Sequence, residues 1–446
     1  MFSFFKLTPP RIVLLSFLGA IFLGTILLSL PVSRQPGQNL SFIDALFTAA
    51  SAACVTGLVV KDTGLFFSNF GQMVILVLFQ AGGLGIMTLS TVFAVMLGKK
   101  LSLKENLVIQ STVGQEQKKS IITLLKYILL LTFMFEALGT IVLLLQGFDL
   151  KSALFHAVSA FCNAGFSLYS DSFISYQGDV IINLVMIVLI ITGGLGFVVL
   201  LELPQLRFYF SKRKNRSLRL SLQTKIVLGV SLVLLVLGTL GIFVLEDNTA
   251  LAGLSFKNKI CASFFQSASS RTAGFNTLEI NSLSAGGKWC LIFLMFVGAS
   301  PGSTGGGIKT VTLGVVLVSL GAMLRNRPHV SVFGRRLPRE VLNKAIAIFC
   351  LALLWVFVFT LLLCVTESNY DHGSNVFIKI LFEVTSAFGT VGLSTGITPY
   401  LSLMGKVLII ITMFVGRIGP LTLALAVALR EQAPPLRYPE EKVMVG

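Results

Sequence analysis

The sequence predicts an all-α integral membrane protein: four tandem helix, pore-loop, helix repeats around one central pore, with eight spanning helices and four re-entrant loops. Three observations carry this expectation. Hydrophobic residues make up 54% of the 446 and charged residues only 12%, a balance that suits a bilayer rather than a soluble surface. The apolar residues fall in long runs, each near the ~20 that an α-helix needs to cross the hydrocarbon layer. One segment recurs four times without a gap: LFTAASAACVTGL (Leu46–Leu58), LFHAVSAFCNAGF (Leu154–Phe166), SFFQSASSRTAGF (Ser263–Phe275) and LFEVTSAFGTVGL (Leu381–Leu393). Their final glycines, Gly57, Gly165, Gly274 and Gly392, stand 108, 109 and 118 residues apart, so the period is close to a quarter of the chain.

Each repeat opens with an apolar span, roughly Arg11–Pro31, Ile122–Gln146, Leu222–Leu245 and Lys344–Thr366. A short polar bend and a semi-polar helical stretch ending at the glycine follow. The repeat closes with a second span, roughly Phe70–Leu97, Val180–Leu203, Trp289–Leu324 and Gly405–Arg430. On this reading the repeats occupy residues 1–98, 99–207, 208–328 and 329–432. The tail 433–446 is too polar and proline-rich to continue the last helix. The first apolar stretch is long enough to span and lacks a convincing small-residue cleavage site, so it reads as a membrane helix rather than a signal peptide. The glycine-ended segments are too short to cross and rich in Ser, Ala and Gly; non-helical backbone at membrane depth is tolerated only where it is buried in protein or lines water.

The net charge of +16 is unevenly spread: Lys99–Lys126, Arg207–Lys225 and Arg325–Lys344 hold six, seven and six basic residues. With those flanking the first and last helices, 24 of the 35 basic residues face one compartment. Short basic loops mark the cytoplasmic side, which makes both termini cytoplasmic and the glycine-ended segments extracellular. SKRKNRSLR (Ser211–Arg219) and RNRPHVSVFGRRLPR (Arg325–Arg339) are the surfaces most available to a soluble regulator, although topology alone accounts for their charge. No recognisable nucleic-acid-binding module accompanies these bases, so nucleic acid is not a partner; the lipid bilayer is. The six cysteines show neither a paired extracellular pattern nor CxxC and read as free thiols. His156, His329 and His372 lie in unrelated regions with no HExxH, and no Cys/His cluster has metal-ligand spacing, which argues against an enzyme.

A ring of carbonyl oxygens replaces an ion's hydration shell when the backbone takes dihedrals that a Cβ resists, and glycine supplies them. The partly negative C-terminal end of each short helix, aimed at the axis, favours a cation. The second span of the third repeat departs from the others, with Gly298, Gly302, Gly305, Gly306 and Gly307 set among Pro301, Ser300, Ser303 and Thr304. No uniform helix survives that, and broken helix at membrane depth should line a cavity. The GGLG runs at Gly82–Gly85 and Gly193–Gly196 are given mainly to close helix packing.

Arg417 sits in the middle of the last span, where an unpaired charge is costly. It reads either as an electrostatic barrier beside the glycine run, or as a tie to a backbone carbonyl or to a carboxylate such as Glu383 or Glu136. Lys309 is a further candidate to support that gate, with snorkelling towards the cytoplasm as the alternative. Arg271 is read as a brace for the third loop. Glu383 is read either as an attractor of cations or as a buried hydrogen-bond acceptor. Asp62, Asp171, Asp179, Glu246, Asp247 and Asp371 are taken as solvated surface.

The repeats, and above all RTAGFNT (Arg271–Thr277) and GASPGSTGGGIKT (Gly298–Thr310), resemble the Trk/Ktr/HKT superfamily of potassium transporters over almost the whole chain. The resemblance implies a potassium-translocating homodimer in the bacterial cell (plasma) membrane, docked on a cytosolic nucleotide-binding (RCK) ring of the KtrA type and often dependent on sodium as an activator, with no organic cofactor of its own. Carried over by position, it implies a filter of Val55, Thr56 and Gly57; Asn163, Ala164 and Gly165; Thr272, Ala273 and Gly274; and Thr390, Val391 and Gly392, with potassium at the carbonyls. It makes Gly305, Gly306 and Gly307 an intramembrane gating loop. All four glycines are present, where some sodium-carrying plant relatives place serine at the first. The competing reading is an alternating-access cation symporter; such transporters usually show two inverted repeats, whereas these four copies share one orientation.

Overall fold

The computed structural model describes residues 9–85, 121–203, 220–327, 329–368, 375–420 and 422. Four long helices, α1 (Pro9–Ser29), α5 (Ile121–Leu145), α9 (Leu222–Glu246) and α13 (Arg339–Thr366), are long and apolar enough to cross a membrane. Each is followed by a shorter helix: α2 (Phe42–Ala53), α6 (Leu150–Phe161), α10 (Phe256–Ser269) and α14 (Val376–Gly389). Ser41, Asp149 and Ser255 start the first three of these by accepting a bond from the backbone N–H three residues on. After a non-helical turn and, in the first unit, the one-turn helix α3 (Thr63–Phe66), the chain enters α4 (Asn69–Leu84), α7 (Val180–Leu195), α11 (Ala285–Phe296) or α15 (Leu403–Ile418). Here too Ser68, Asp179, Ser284 and Ser402 are side-chain N-caps.

None of these last helices continues as the uninterrupted span expected from hydropathy. α4 stops at Gly85, α7 at Gly196 and α15 at Gly419, with φ of 82°, 91° and 92°. α8 (Phe197–Glu202) resumes directly after Gly196, and α12 (Thr310–Leu324) follows α11 after the non-helical residues 297–309. The glycine runs expected to serve packing do two jobs. A Cβ on Gly82 or Gly193 would strike the carbonyl oxygen of Ala53 or Phe161 at the end of the neighbouring short helix, whereas Gly85 and Gly196 take the left-handed conformation that stops the helix.

The short helices form the core. Phe47, Phe161, Phe265 and Phe388 are buried on all sides, one per short helix, while Leu130, Leu232 and Phe357 on the long helices are more than 60% exposed. An interior of short helices inside an apolar outer belt is the arrangement a hydrocarbon solvent demands. The four units pack in cyclic order: α4 on α6, α7 on α10, α11 on α14, and α15 back on α2. A two-stranded hairpin, β1 (Ser331–Val332) with β2 (Arg335–Arg336), precedes α13. The basic segments 99–120 and 204–219, Asp371, His372, the tail 433–446 and the unit boundaries at 98, 207, 328 and 432 lie outside the described residues.

Candidate functional site

Helices α2, α6 and α14 end in the same way. The N–H groups of Val55, Asn163 and Thr390 donate to the carbonyl oxygens of Ala52, Ala160 and Ala387 at 3.0–3.1 Å, and those of Thr56, Ala164 and Val391 to Ser51, Ser159 and Ser386 at 2.8 Å. This is the Schellman termination, whose left-handed position is normally glycine. Here it holds Val55, Asn163 and Thr390 at φ of 58°, 57° and 49°, and Thr272 stands at 75° in the third unit. Valine and threonine at positive φ are genuine outliers, and strain of that kind collects at functional sites. Two residues on, Gly57, Gly165, Gly274 and Gly392 take φ of 85°, 74°, 77° and 94°, while the residue between is not left-handed. The alternation lets successive carbonyls face one side.

The four turns close on one another. A methyl group on Gly57 would strike the carbonyl oxygen of Ala164 and lie 2.9 Å from the Cα of Gly165; on Gly165 it would lie 2.8 Å from the carbonyl oxygen of Ala273. On Gly274 it would strike the carbonyl of Val391, and on Gly392 that of Thr56, with the Cα of Gly57 at 3.1 Å. The glycines therefore form a ring in the order of the four units, with Gly57 diagonal to Gly274 and Gly165 diagonal to Gly392. All twelve residues assigned to the turns from sequence meet here.

Above the ring lies a cavity of about 310 Å³ whose lining includes all four glycines. Among the described residues, Asp62 and Glu279 are its charged lining residues, with no lysine or arginine. Below the ring, each first-position side chain meets the break in a following helix. The Val55 methyl and the Asn163 amide stand where a Cβ on Gly82 or Gly193 would fall, at 2.7 and 2.8 Å, and Thr272 and Thr390 stand likewise against Gly305 and Gly306. Asn163 and Thr272 approach to 3.0 Å. With the amide oxygen taking the threonine hydroxyl, the amide nitrogen reaches Ala160 O and Ile190 O, which satisfies both ends.

Residues 297–309 cross the underside. The N–H of Gly306 donates to Thr390 Oγ1 at 3.0 Å and that of Gly307 to Gly416 O at 3.2 Å. On the other side, Ser300 N and Thr304 N donate to Gly194 O and Gly193 O, and Phe197 N to Gly302 O. Arg417 then donates to the carbonyl oxygens of Thr304 and Gly82. Its bonds go to backbone carbonyls and not to Glu383 or Glu136. Lys309 folds back so that Nζ donates to Gly305 O at 2.7 Å.

Arg271 is buried and points away from the ring, donating to Ser231 Oγ at 3.0 Å and Ser231 O at 3.3 Å. Glu383 is fully buried and accepts from Ser394, Thr395 and Thr398, so the acceptor alternative describes it. Glu246, expected at the surface, is 0% exposed; it accepts from the N–H and hydroxyl of Ser284 at the start of α11. Glu367 does the same for Ser402 at the start of α15. Both carry a sequence signal that the reading missed, a glutamate ending a long span and a serine opening the next helix. The helix breaks carry a signal that the reading missed, GxxG recurring at Gly82, Gly193 and Gly416, 25, 28 and 24 residues after the first, second and fourth ring glycines.

Residues 16–435 match the family model for the TrkH cation transport protein. The chain is 42% identical to the Ktr system potassium uptake protein B of Bacillus subtilis, over 99% of this chain and 97% of that one. It is 35% identical to the potassium/sodium uptake protein NtpJ of Enterococcus hirae, over 99% and 98%. The crystal structure of the potassium transporter TrkH from Vibrio parahaemolyticus superposes with a TM-score of 0.74 at 20% identity, covering 96% of this chain and 87% of that one, and so shares the fold. The chain belongs to the TrkH family of cation transport proteins.

Proposed function

We propose that the chain is the potassium-translocating membrane subunit of a regulated uptake system. Conduction is channel-like, along the axis of four helix, pore-loop, helix repeats. The closed ring of four left-handed glycines carries this reading: it brings backbone carbonyls from residues 55–57, 163–165, 272–274 and 390–392 around one axis, where they replace a cation's hydration shell. The C-terminal ends of the four short helices add their partial negative charge, and Asp62 and Glu279 bias the cavity above towards cations. Membrane voltage then drives uptake, at about 2.3 kcal/mol per charge per 100 mV.

Beneath the filter, Gly305, Gly306 and Gly307 form the gate, held shut by Arg417 and Lys309. The charge asymmetry puts both termini in the cytoplasm of the bacterial cell. The names of the relatives, potassium uptake in Bacillus and potassium/sodium uptake in Enterococcus, support potassium as the cargo and sodium as a stimulator. A homodimer docked on a KtrA-type nucleotide-binding ring is the assembly that fits a Ktr system subunit. The interrupted second helices favour one alternative, a symporter with alternating access, since broken helices at membrane depth serve such carriers as well.

Purified protein in liposomes separates these readings. Potassium and sodium fluxes at imposed voltage, with and without the ring protein, should show voltage-driven potassium flux with no counter-substrate. Gly57→Ser should lower the potassium-to-sodium ratio. Flux that saturates at carrier rates and needs a coupled ion identifies the symporter; an unchanged ratio in Gly57→Ser removes the filter assignment.

A further inference from the structure

Nine residues before each ring glycine stand Thr48, His156, Phe265 and Glu383. Two of these four, His156 and Glu383, reach from the short helix to the same place in their own turn. Nε2 of His156 is 3.0 Å from Ser167 Oγ and accepts from Leu168 N at 3.2 Å. Oε1 of Glu383 accepts from Ser394 Oγ at 2.6 Å and from Thr395 N at 2.9 Å. Ser167 and Ser394 each lie two residues after the ring glycine, and Leu168 and Thr395 three. An imidazole and a carboxylate thus make the same pair of bonds at equivalent positions, both fully buried.

The other two units lack this link. Thr48 spends its hydroxyl on Asp44 O, within its own helix, and Phe265 has no polar group. At the corresponding turn positions stand Val59, without a polar side chain, and Asn276, whose side chain donates to Leu278 O. The braced turns, the second and the fourth, are diagonal across the ring. Val59, Ser167, Asn276 and Ser394 all line the cavity above it, so the braces act at its rim.

The chemistry of each brace is fixed by its other contacts. Nδ1 of His156 donates to Ser152 O at 2.8 Å, which leaves Nε2 as the acceptor, and the ring stacks on Tyr169 at 4.8 Å. Glu383 also accepts from Thr398 Oγ1 at 2.8 Å. Each side chain is held on two sides and transmits that hold to its turn, as a buried polar network does when fully satisfied.

We propose that His156 and Glu383 are a matched pair of positioning residues that stiffen one diagonal of the glycine ring and thereby set the ring's discrimination between potassium and smaller cations. The proposal rests on the filter reading above. Neither residue touches the ion; each acts through the rim of its own turn, and the unbraced diagonal of the first and third turns is left to adjust.

The test replaces each brace with the residue that the chain itself carries at that position elsewhere. His156→Phe copies the third unit and Glu383→Thr the first. Potassium-to-sodium permeability ratios, taken from voltage-dependent flux in liposomes, are expected to fall several-fold in each. His156→Gln and Glu383→Gln, which keep an acceptor, should recover most of the ratio. Ser167→Ala and Ser394→Ala remove the partners without altering the short helices and should lower the ratio about twofold, even if a brace variant fails to fold. Phe265→Leu and Thr48→Val should leave it unchanged. If Gly57→Ser loses selectivity while the brace and serine variants do not, the pairing is wrong and the filter stands. If Gly57→Ser keeps its selectivity too, both fall.

Discussion

Arg417 donates to the carbonyl oxygen of Thr304, and through its second terminal nitrogen to that of Gly82, so one side chain of the fourth unit ties the broken segments of the third and first. On the proposed gate reading, two charge-assisted bonds at roughly 1.5 kcal/mol each hold the underside closed by more than the ~1.4 kcal/mol that makes a tenfold population change. Arg417→Ala is therefore expected to raise potassium flux tenfold or more in the absence of the regulatory ring. Arg417→Lys should fall between, because a single ammonium cannot fork to two carbonyls. A folded Arg417→Ala protein that conducts no faster leaves only a structural tie.

Thr390 joins the ring to the crossing segment, since its hydroxyl accepts from the N–H of Gly306 at 3.0 Å. Valine keeps the shape and the β-branch but leaves that buried N–H unpaired, at a cost of about 1–3 kcal/mol. Thr390→Val should raise ring-free flux, by less than Arg417→Ala does. The two should be less than additive in the double variant, because both loosen the same segment. Full additivity would place Thr390 outside the gate.

The ring glycines were legible because a backbone requirement leaves a residue type behind: only glycine suits Gly57, Gly165, Gly274 and Gly392 without strain. Val55, Asn163, Thr272 and Thr390 were legible only by position. Their left-handed φ is imposed by the helix ending and the packing beneath, against their own preference. Arg417 was visible as a costly charge, but its partners were not, because a backbone carbonyl carries no sequence signature. Glu246 was misread as surface for a related reason. A glutamate at the end of a span looks solvated until the serine opening the next helix folds back onto it. The breaks at Gly85, Gly196 and Gly419 were overlooked because glycine suits both packing and helix termination, and hydropathy runs straight through them.

The first and last units meet at a buried ion pair. Lys406 Nζ, in the first turn of α15, lies 2.7 Å from Asp44 Oδ1 in the first turn of α2, with side chains 14% and 10% exposed. Removing one partner strands the other charge, so Lys406→Met is expected to cost about 3 kcal/mol. Lys406→Met combined with Asp44→Asn should cost less than the sum of the single changes. Thermal unfolding in detergent reads this directly. The potassium-to-sodium ratio of the surviving folded protein should be unchanged, because neither residue belongs to the turns; a lowered ratio would show that the seam sets ring geometry.

Among the described residues, Asp62 and Glu279 are the charged side chains lining the cavity above the ring. Asp62 also caps α3 by accepting from Leu65 N at 2.7 Å, which asparagine can replace, so Asp62→Asn separates charge from fold. Neither carboxylate is deeply buried, and their effect on cations must pass through solvent. It is therefore long-ranged at about 10 mM salt, where the screening length is about 30 Å, and short at about 1 M, where it is about 3 Å. Asp62→Asn with Glu279→Gln is expected to raise the potassium concentration for half-maximal flux about two- to threefold at the low salt and to leave it unchanged at the high salt. A shift of the same size at both salts would mean direct contact with the ion, and no shift at either would mean that the carbonyl ring alone gathers the cation.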